Sequence, residues 1–229
     1  MAPRPTTESG ESPERKSETR MSATADHAHD HGPIVYPDDP HYGRASSGKI
    51  GMWIFLLSDA FSFGGLLLAY GILRGGSKVW IDPALGEPHL GINFTAGLTF
   101  LLICSSVTMV LAHAAAVEKK RSEAVRFLAL TALGGILFLC GQYQEYWGIV
   151  GHGLLHEGLN FGKSHYATTF YMTTSFHGLH VLTGVIILLI TTLKTAVGKL
   201  DDNFIEVVGL FWHFVDLVWI LVFTFIYLL

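Results

Sequence analysis

The sequence predicts an all-α integral membrane bundle of five transmembrane helices, preceded by a polar tail. Half of the 229 residues are hydrophobic and only 15% are charged, whereas soluble domains carry about 25%. The charge is also uneven, because residues 1–48 hold 5 of the 15 Lys and Arg and 8 of the 19 Asp and Glu. Beyond that tail, five segments each have the ~20 apolar residues that crossing a bilayer requires.

The tail, residues 1–48, is predicted to be disordered because its Pro, Ser, Thr and Glu content cannot offset the entropy of ordering. It has no apolar stretch of the kind that a secretory signal contains. The alternating run Asp26–His31 is interpreted as part of a solvated tail, with weak divalent-metal binding as the alternative. A net charge of -4 without a long basic stretch argues against nucleic-acid binding.

The remaining residues, 49–229, form the predicted transmembrane domain. All five segments are too long for strands, and backbone groups in lipid must be satisfied internally, so helices are predicted. The helices cover about residues 50–73, 90–117, 127–150, 166–193 and 207–229. Cys104 and Cys140 lie in two of these apolar helices and make neither a disulfide framework nor a cysteine-rich zinc site.

The orientation of the bundle follows from the distribution of Lys and Arg around the spans. One side carries Arg44, Lys49, Lys119, Lys120, Arg121, Arg126, Lys194 and Lys199, and the other carries Arg74, Lys78 and Lys163. The N-terminus is therefore predicted to be cytoplasmic, and the C-terminus periplasmic or otherwise outside.

The few ionisable residues inside the spans are candidate functional groups, because such residues are costly in lipid and usually face the bundle interior. They are Asp59 in the first span, Glu145 in the third, His177 and His180 in the fourth, and His213 and Asp216 in the fifth. At ~1.5 Å rise per residue, Asp59, His177, His213 and Asp216 fall at one level near the midplane. Glu145 is predicted to lie nearer the outer surface.

Two of the spans carry polar pairs at a spacing that puts both members on one helix face. His177 and His180 form one pair, and His213 and Asp216 form the other. We interpret them as an interhelical hydrogen-bonding network, with a metal site between facing helices as the alternative. Three roles stay open for Asp59, which are pairing with a histidine, relaying protons and remaining protonated.

Small residues in the spans predict places where two helices approach closely. They are Gly64, Gly65, Gly71, Ala112, Ala116, Gly134, Gly135, Gly178 and Gly184.

The polar residues stand in strings that resemble subunit III of haem-copper terminal oxidases. Residues 51–59 (GMWIFLLSD) resemble the family's GMWLF…SE helix, and residues 137–146 resemble its LF…Q…EY pattern. Residues 166–181 (YATTFYMTTSFHGLHV) resemble STFFMTTGFHGLHV, and residues 211–219 resemble WHFVDVVW. The strings occur in the family's order in four of the five helices, and that ordered set is highly specific.

This resemblance implies the shorter bacterial form of subunit III, a five-helix bundle beside the catalytic subunit I in the bacterial inner membrane. It implies no haem or copper in this chain, no catalytic residue and no metal site, with the redox centres in subunits I and II. It also implies support of proton uptake, protection of subunit I during turnover, and contact with membrane phospholipid. Asp59 stands where the family usually has Glu, and Ser58 and Gln142 lie in the same strings and join the predicted network.

The leading hypothesis is therefore an accessory subunit of a proton-translocating oxygen reductase, with cytochrome c oxidase as the expected enzyme. The alternatives are the third subunit of a quinol oxidase, a homologue that accompanies nitric oxide reductase, and a self-contained metalloprotein built on His177, His180, His213 and Asp216. A small carrier using Asp59 and Glu145 is disfavoured, because no inverted repeat is evident.

Overall fold

A computed structural model of the chain describes residues 47–77, 80, 91–148, 153–155, 159, 161–162, 164–199 and 201–229. In these ranges the regular structure is entirely helical, and five helices are long and apolar enough to span a membrane. The predicted fold class is confirmed. The predicted disordered tail lies outside the described residues, except that Ser47 and Gly48 belong to the first helix.

The five helices run in chain order as α1 (Ser47–Gly76), α2 (Ile92–Val117), α3 (Arg121–Trp147), α4 (His165–Ala196) and α5 (Asp202–Val222). A short π-helix, Phe223–Leu228, continues α5. Several helices are longer than predicted, most clearly α3, which begins at Arg121 rather than at residue 127. Hydropathy marks the hydrocarbon core, whereas good helix formers such as Glu123 and Arg126 extend the helix past it.

Local capping interactions mark several of the helix ends. The Ser164 hydroxyl accepts a hydrogen bond from the Ala167 amide at 3.0 Å and begins α4. Gly148 ends α3 in the left-handed region, with φ of 60°, which glycine adopts without steric cost. Lys119, between α2 and α3, adopts the same φ despite its side chain, and its amide bonds the Ala116 carbonyl. The turn between these two helices is thus only Glu118–Lys120.

α5 is the most enclosed of the helices and α1 is the most peripheral. α2 packs on α3 and α5, α3 on α4, and α4 on α5, whereas α1 contacts α4 and α5. In the most apolar part of α5 half of the residues are buried, against 17% in α1. A row of large apolar side chains on α1 is consequently exposed, including Trp53, Ile54, Phe61 and Ile72.

Glycines allow the close approach of α3, α4 and α5 around one tryptophan. A Cβ atom on Gly135 would lie 2.5 Å from the Trp212 ring, and one on Gly184 would lie 2.9 Å from it. The Trp212 indole also donates to the Ser105 hydroxyl of α2 at 3.1 Å. By contrast, a Cβ on Gly64, Gly65 or Gly71 of α1 would meet no atom of the described residues within 4 Å. The glycine prediction is therefore confirmed for α3 and α4 and wrong for α1.

Candidate functional site

The structure joins Asp59 of α1 to His180 of α4. The His180 Nε2 atom lies 3.3 Å from Asp59 Oδ1, and both side chains are largely buried. The other ring nitrogen, Nδ1, lies 2.8 Å from the Phe176 carbonyl. The rings of Phe63 and Phe176 pack on the same imidazole at 5.3 and 4.7 Å between centroids. The pair is therefore a polar contact between two helices, enclosed by aromatic rings.

His177 occupies a different environment from His180, although the two are three residues apart. Its side chain is fully buried, and neither ring nitrogen has a hydrogen-bond partner among the described residues. Trp219 lies beside it at 4.8 Å between centroids with 30° between the ring planes. Phe138 and Phe63 meet it edge-on at 5.8 and 6.3 Å. The imidazole is held here by ring packing.

His213 and Asp216 of α5 face α2. His213 Nδ1 lies 2.9 Å from the Ser106 hydroxyl, and Asp216 also lies beside this serine. Asp216 is buried, and its Oδ1 atom has no hydrogen-bond partner in the described part of the chain. His213 also lines an apolar groove of about 360 Å³ between α1 and α5, together with Trp53.

Glu145 of α3 contacts side chains of two other elements near the end of the bundle where α2 begins. The Thr95 hydroxyl of α2 donates to Glu145 Oε1 at 3.0 Å. The Tyr227 hydroxyl, in the π-helix, donates to Glu145 Oε2 at 3.1 Å. All three side chains are buried. A single carboxylate thus accepts one hydrogen bond from each of two other helices.

Gln142, one turn before Glu145, connects α3 to α4. Its side-chain amide donates to the Thr174 carbonyl at 2.8 Å and to the Tyr146 hydroxyl at 3.1 Å. The Tyr146 hydroxyl in turn donates to the Thr174 hydroxyl at 2.6 Å. The glutamine is buried, and a Cβ on Gly178 would lie 2.7 Å from its Oε1 atom. Gly178 therefore makes room for this polar contact.

Among the described residues, Ser58 takes no part in the interhelical contacts predicted for it. Its side chain is exposed, and its carbonyl accepts a hydrogen bond from Ser62 Oγ within α1 at 3.3 Å. The cause is helix rotation, because Asp59 takes the buried side of α1 and its immediate neighbour is turned by about 100°. The residues that were missed are Thr95, Tyr146, Thr174 and Tyr227. A depth estimate for hydroxyl groups puts Thr95 and Tyr227 near the outer ends of their spans, at the level predicted for Glu145.

The four residues of the metal-site alternative are distributed over three separate contacts. His180 meets Asp59, His177 lies among aromatic rings, and His213 and Asp216 face Ser106. In the described part of the chain, no group of three or more His, Cys, Asp and Glu side chains is placed to hold a metal ion. The arrangement proposed for that alternative is therefore not formed by these residues.

Ion pairs tie together the end of the bundle where α1 and α5 begin. Lys49 of α1 lies 2.6 Å from Glu206 of α5, with His113 of α2 at 4.0 Å from the same carboxylate. Lys119 lies 3.0 Å from Asp202. We call this the basic end. In the adjacent turn, a hydrogen bond from the Lys120 ammonium lowers the pKa of the exposed Glu118 carboxyl.

Comparison with known proteins places these contacts in a family context. The sequence profile of the family described as cytochrome c oxidase subunit III matches residues 41–229. Cytochrome c oxidase subunit 3 of Synechocystis is 32% identical over 193 residues, which cover 82% of this chain and 78% of the relative. A probable cytochrome c oxidase subunit 3 of Nocardia farcinica is 34% identical, and the Corynebacterium diphtheriae subunit is 33% identical. Each of these two alignments covers 80% of this chain and 89% of the relative.

Proposed function

Because the chain belongs to the cytochrome c oxidase subunit III family, we propose that it is the accessory subunit III of a proton-translocating cytochrome c oxidase. It lies in the bacterial inner membrane beside subunits I and II, and it contains no redox centre of its own. The haem and copper groups belong to those partners. Its role is to support proton uptake by subunit I and to stabilise that subunit during turnover.

The observation that carries this proposal is the extent of the family match. Residues 41–229 include all five helices and every interhelical polar contact described above. The relatedness thus applies to the whole transmembrane domain, and relatives that bear the subunit name cover about four fifths of the chain. A match confined to one helix would leave the role open.

The internal contacts favour a supporting role over chemistry within this chain. Glu145 and Gln142 have hydrogen-bond donors or acceptors on other helices, and Asp59 faces His180. These groups hold helices together. Meanwhile α1 presents a largely exposed apolar surface, which fits contact with lipid or with the membrane helices of a partner subunit.

The proposed role in proton uptake draws support from the basic end of the bundle. His113 and Glu206 are each about one third exposed there, on the side that the charge distribution assigns to the cytoplasm. Ionisable side chains at that surface are able to exchange protons with the solvent from which an inner-membrane oxidase takes them.

The first test is the identity of the partners. We expect the tagged full-length chain, solubilised in a mild detergent, to co-purify with a larger haem-binding membrane subunit and with a subunit carrying a Cu-A motif. Mass spectrometry identifies the partners. The haem absorbance is expected to stay with the larger subunit when the subunits are separated. A haem spectrum retained by the chain after it is separated from all partners would refute the proposal. If the chain co-purified with a haem-binding subunit but with no Cu-A subunit, the electron donor of the complex would be a molecule other than cytochrome c.

A second test addresses the supporting role. We expect the oxidase purified from cells lacking this chain to keep its haem spectrum and its initial oxygen consumption, but to lose activity after fewer turnovers than the complete complex. Adding the chain back to the same preparation serves as the matched control and restores the longer activity. Equal lifetimes for the two forms of the enzyme would contradict the supporting role.

A further inference from the structure

Tyr227 lies beside both a tryptophan and a carboxylate, near the end of the bundle where α2 begins. Its ring is 6.2 Å from the Trp219 indole between centroids, with 61° between the ring planes. Its hydroxyl donates to Glu145 Oε2 at 3.1 Å. All three side chains are more than nine-tenths buried. Because tyrosine and tryptophan lose a single electron more readily than other side chains, this group is able to do chemistry as well as join helices.

Glu145 has the geometry of a proton acceptor for Tyr227. Tyrosine loses an electron readily only if its hydroxyl proton leaves as well, because the oxidised phenol is a strong acid. The distance from the hydroxyl to Glu145 Oε2 is within the range over which a side chain takes up such a proton. The Thr95 hydroxyl donates to the other carboxylate oxygen at 3.0 Å, so both oxygens act as acceptors, as in an ionised carboxylate.

Neighbouring tyrosines donate to weaker bases. The Tyr146 hydroxyl donates to the Thr174 hydroxyl at 2.6 Å, and the Tyr171 hydroxyl donates to the Leu159 carbonyl at 2.9 Å. A hydroxyl or an amide carbonyl takes up a proton much less readily than a carboxylate. Of these three tyrosines, Tyr227 is therefore the one whose hydrogen bond favours loss of an electron.

A row of aromatic rings connects Tyr227 to the surface of the bundle. Phe170 lies 5.4 Å from Tyr227 and 6.1 Å from Tyr166 between centroids. Trp80, which is partly exposed, lies 5.9 Å from Tyr166. A single phenyl ring thus separates the two tyrosines, and electrons tunnel rapidly over so short a gap. An oxidant at Trp80 is therefore able to draw an electron from Tyr227 without entering the bundle.

The π-helix holds the tyrosine in place. The Leu229 amide bonds the Thr224 carbonyl, five residues back, at 3.2 Å, and the Phe223 ring packs on Tyr227 at 5.5 Å between centroids. Short π-helical turns occur frequently at functional sites. A ring that is fixed with its hydroxyl on the proton acceptor needs little rearrangement when it is oxidised.

We propose that Tyr227 is a redox-active tyrosine that supplies an electron to a strong one-electron oxidant, such as a peroxyl radical, at Trp80. The peroxyl radical takes one electron from the Trp80 indole and becomes a peroxide anion. The indole cation regains its electron from Tyr227 by way of Tyr166, and the Tyr227 O–H bond breaks as its proton passes to Glu145 Oε2. The products are the peroxide anion, a neutral tyrosyl radical and protonated Glu145.

This reaction removes a damaging radical and is separate from electron transfer through haem and copper. It needs only the residues of this chain and the oxidant, so it does not depend on the proposed role in the oxidase.

The test uses photogenerated ruthenium(III) tris-bipyridine as the oxidant, with the purified full-length chain in detergent. Electron paramagnetic resonance after rapid freezing detects the tyrosyl radical. We expect a long-lived tyrosyl signal, because a buried radical is protected from other molecules, and we expect Tyr227→Phe to lose it. Tyr143→Phe removes an exposed tyrosine of α3 and keeps the signal. Glu145→Gln slows formation of the radical by about a hundredfold, since it removes the positioned base.

A second control separates electron transfer from packing. Thr95→Val removes the other hydrogen bond to Glu145 but leaves Tyr227 and its proton acceptor, so it keeps the long-lived signal. Circular dichroism and thermal unfolding establish that each variant is folded before its signal is compared. Survival of the signal in Tyr227→Phe, equal loss in Tyr143→Phe or Thr95→Val, or an unchanged rate in Glu145→Gln would overturn the proposal.

The path to the surface has its own matched pair of variants. We expect Trp80→Leu to slow formation of the long-lived radical several-fold, because the row loses its exposed end. Trp147→Leu alters an exposed tryptophan whose ring packs on Tyr143 instead, and the rate is unchanged. Equal rates in these two variants would contradict entry of the oxidant's demand for an electron at Trp80.

Discussion

The orientation of the His180 ring follows from its two polar neighbours, Asp59 and the Phe176 carbonyl. Because a carbonyl only accepts, the His180 Nδ1 atom donates to the Phe176 carbonyl and carries a hydrogen. The Nε2 atom then faces Asp59 Oδ1 at 3.3 Å. This contact joins α1 to α4. The pairing proposed for Asp59 thus agrees with the geometry, and a proton relay through it remains a prediction.

We predict that Asp59→Ala and His180→Ala each lower the free energy of unfolding by about 1–3 kcal/mol, because each leaves a buried polar partner unpaired. The double variant loses less than the sum, with a coupling of about 1 kcal/mol. Reversible unfolding by SDS in mixed micelles measures these values. The control cycle pairs Asp59→Ala with His113→Ala, at the basic end, where the two effects are expected to add. Additive effects for Asp59 and His180 would contradict the contact.

Glu145 accepts hydrogen bonds from two hydroxyl groups, one on each carboxylate oxygen. A glutamine side chain has only one acceptor oxygen. Glu145→Gln keeps the shape but replaces one acceptor oxygen by an amide donor facing Thr95 or Tyr227. We predict a loss of about 1–2 kcal/mol in the free energy of unfolding, and about 1 kcal/mol for Tyr227→Phe. SDS unfolding again provides the measurement.

The chain offers a matched control for the tyrosine. Tyr143 lies on the same helix as Glu145 but is 52% exposed, so Tyr143→Phe is expected to change the free energy of unfolding by less than about 0.5 kcal/mol. If both tyrosine variants had the same effect, the hydrogen bond from Tyr227 would have no role in stability.

At the scale of the elements, α5 holds the bundle together through its tryptophans. Trp212 lies between Gly135 of α3 and Gly184 of α4, and its indole donates to Ser105 of α2. Trp219, two turns later, donates to the Thr99 hydroxyl of α2 at 2.9 Å. Both indoles are buried with their polar atom satisfied, which is the usual condition for tryptophan in a core. Close packing of α3 and α4 therefore depends on glycine at the tryptophan contact.

We predict that Gly135→Ala lowers the free energy of unfolding by about 1–3 kcal/mol, since its Cβ would overlap both Trp212 and Val185. Gly97→Ala is the matched control, because a Cβ at this exposed position of α2 meets no atom within 4 Å in the described part of the chain. There we expect a gain of up to about 1 kcal/mol from the helix propensity of alanine. If both variants changed the free energy of unfolding in the same direction, this account of the interface would be contradicted.

At the scale of the whole molecule, the bundle has one end rich in basic residues. That end contains the Lys49–Glu206 and Lys119–Asp202 ion pairs and the short α2–α3 turn. With five spans in the described ranges, we expect the beginning of α1 and the end of the last span on opposite sides of the membrane. We predict from the excess of Lys and Arg that the basic end faces the cytoplasm.

We predict that alkaline phosphatase fused after Leu229 is active, because the enzyme folds only outside the cytoplasm. The same enzyme fused after Val197, in the α4–α5 turn, is expected to be inactive. Green fluorescent protein at the two positions is the reciprocal control and gives the opposite pattern. A reversed pattern at both positions would show that the basic end faces outward.

The sequence by itself determined the fold class, the number of spans and the ionisable groups within them, because composition and span length are local properties that the bilayer selects. It also contained the ordered strings that indicate the family. Only the tertiary structure decided which groups meet. His180 contacts Asp59, His177 lies among aromatic rings, and Ser58 is exposed. All three nevertheless stand in sequence strings that resemble the motifs of the same family. These outcomes depend on the rotation and packing of each helix against its neighbours, which hydropathy does not encode.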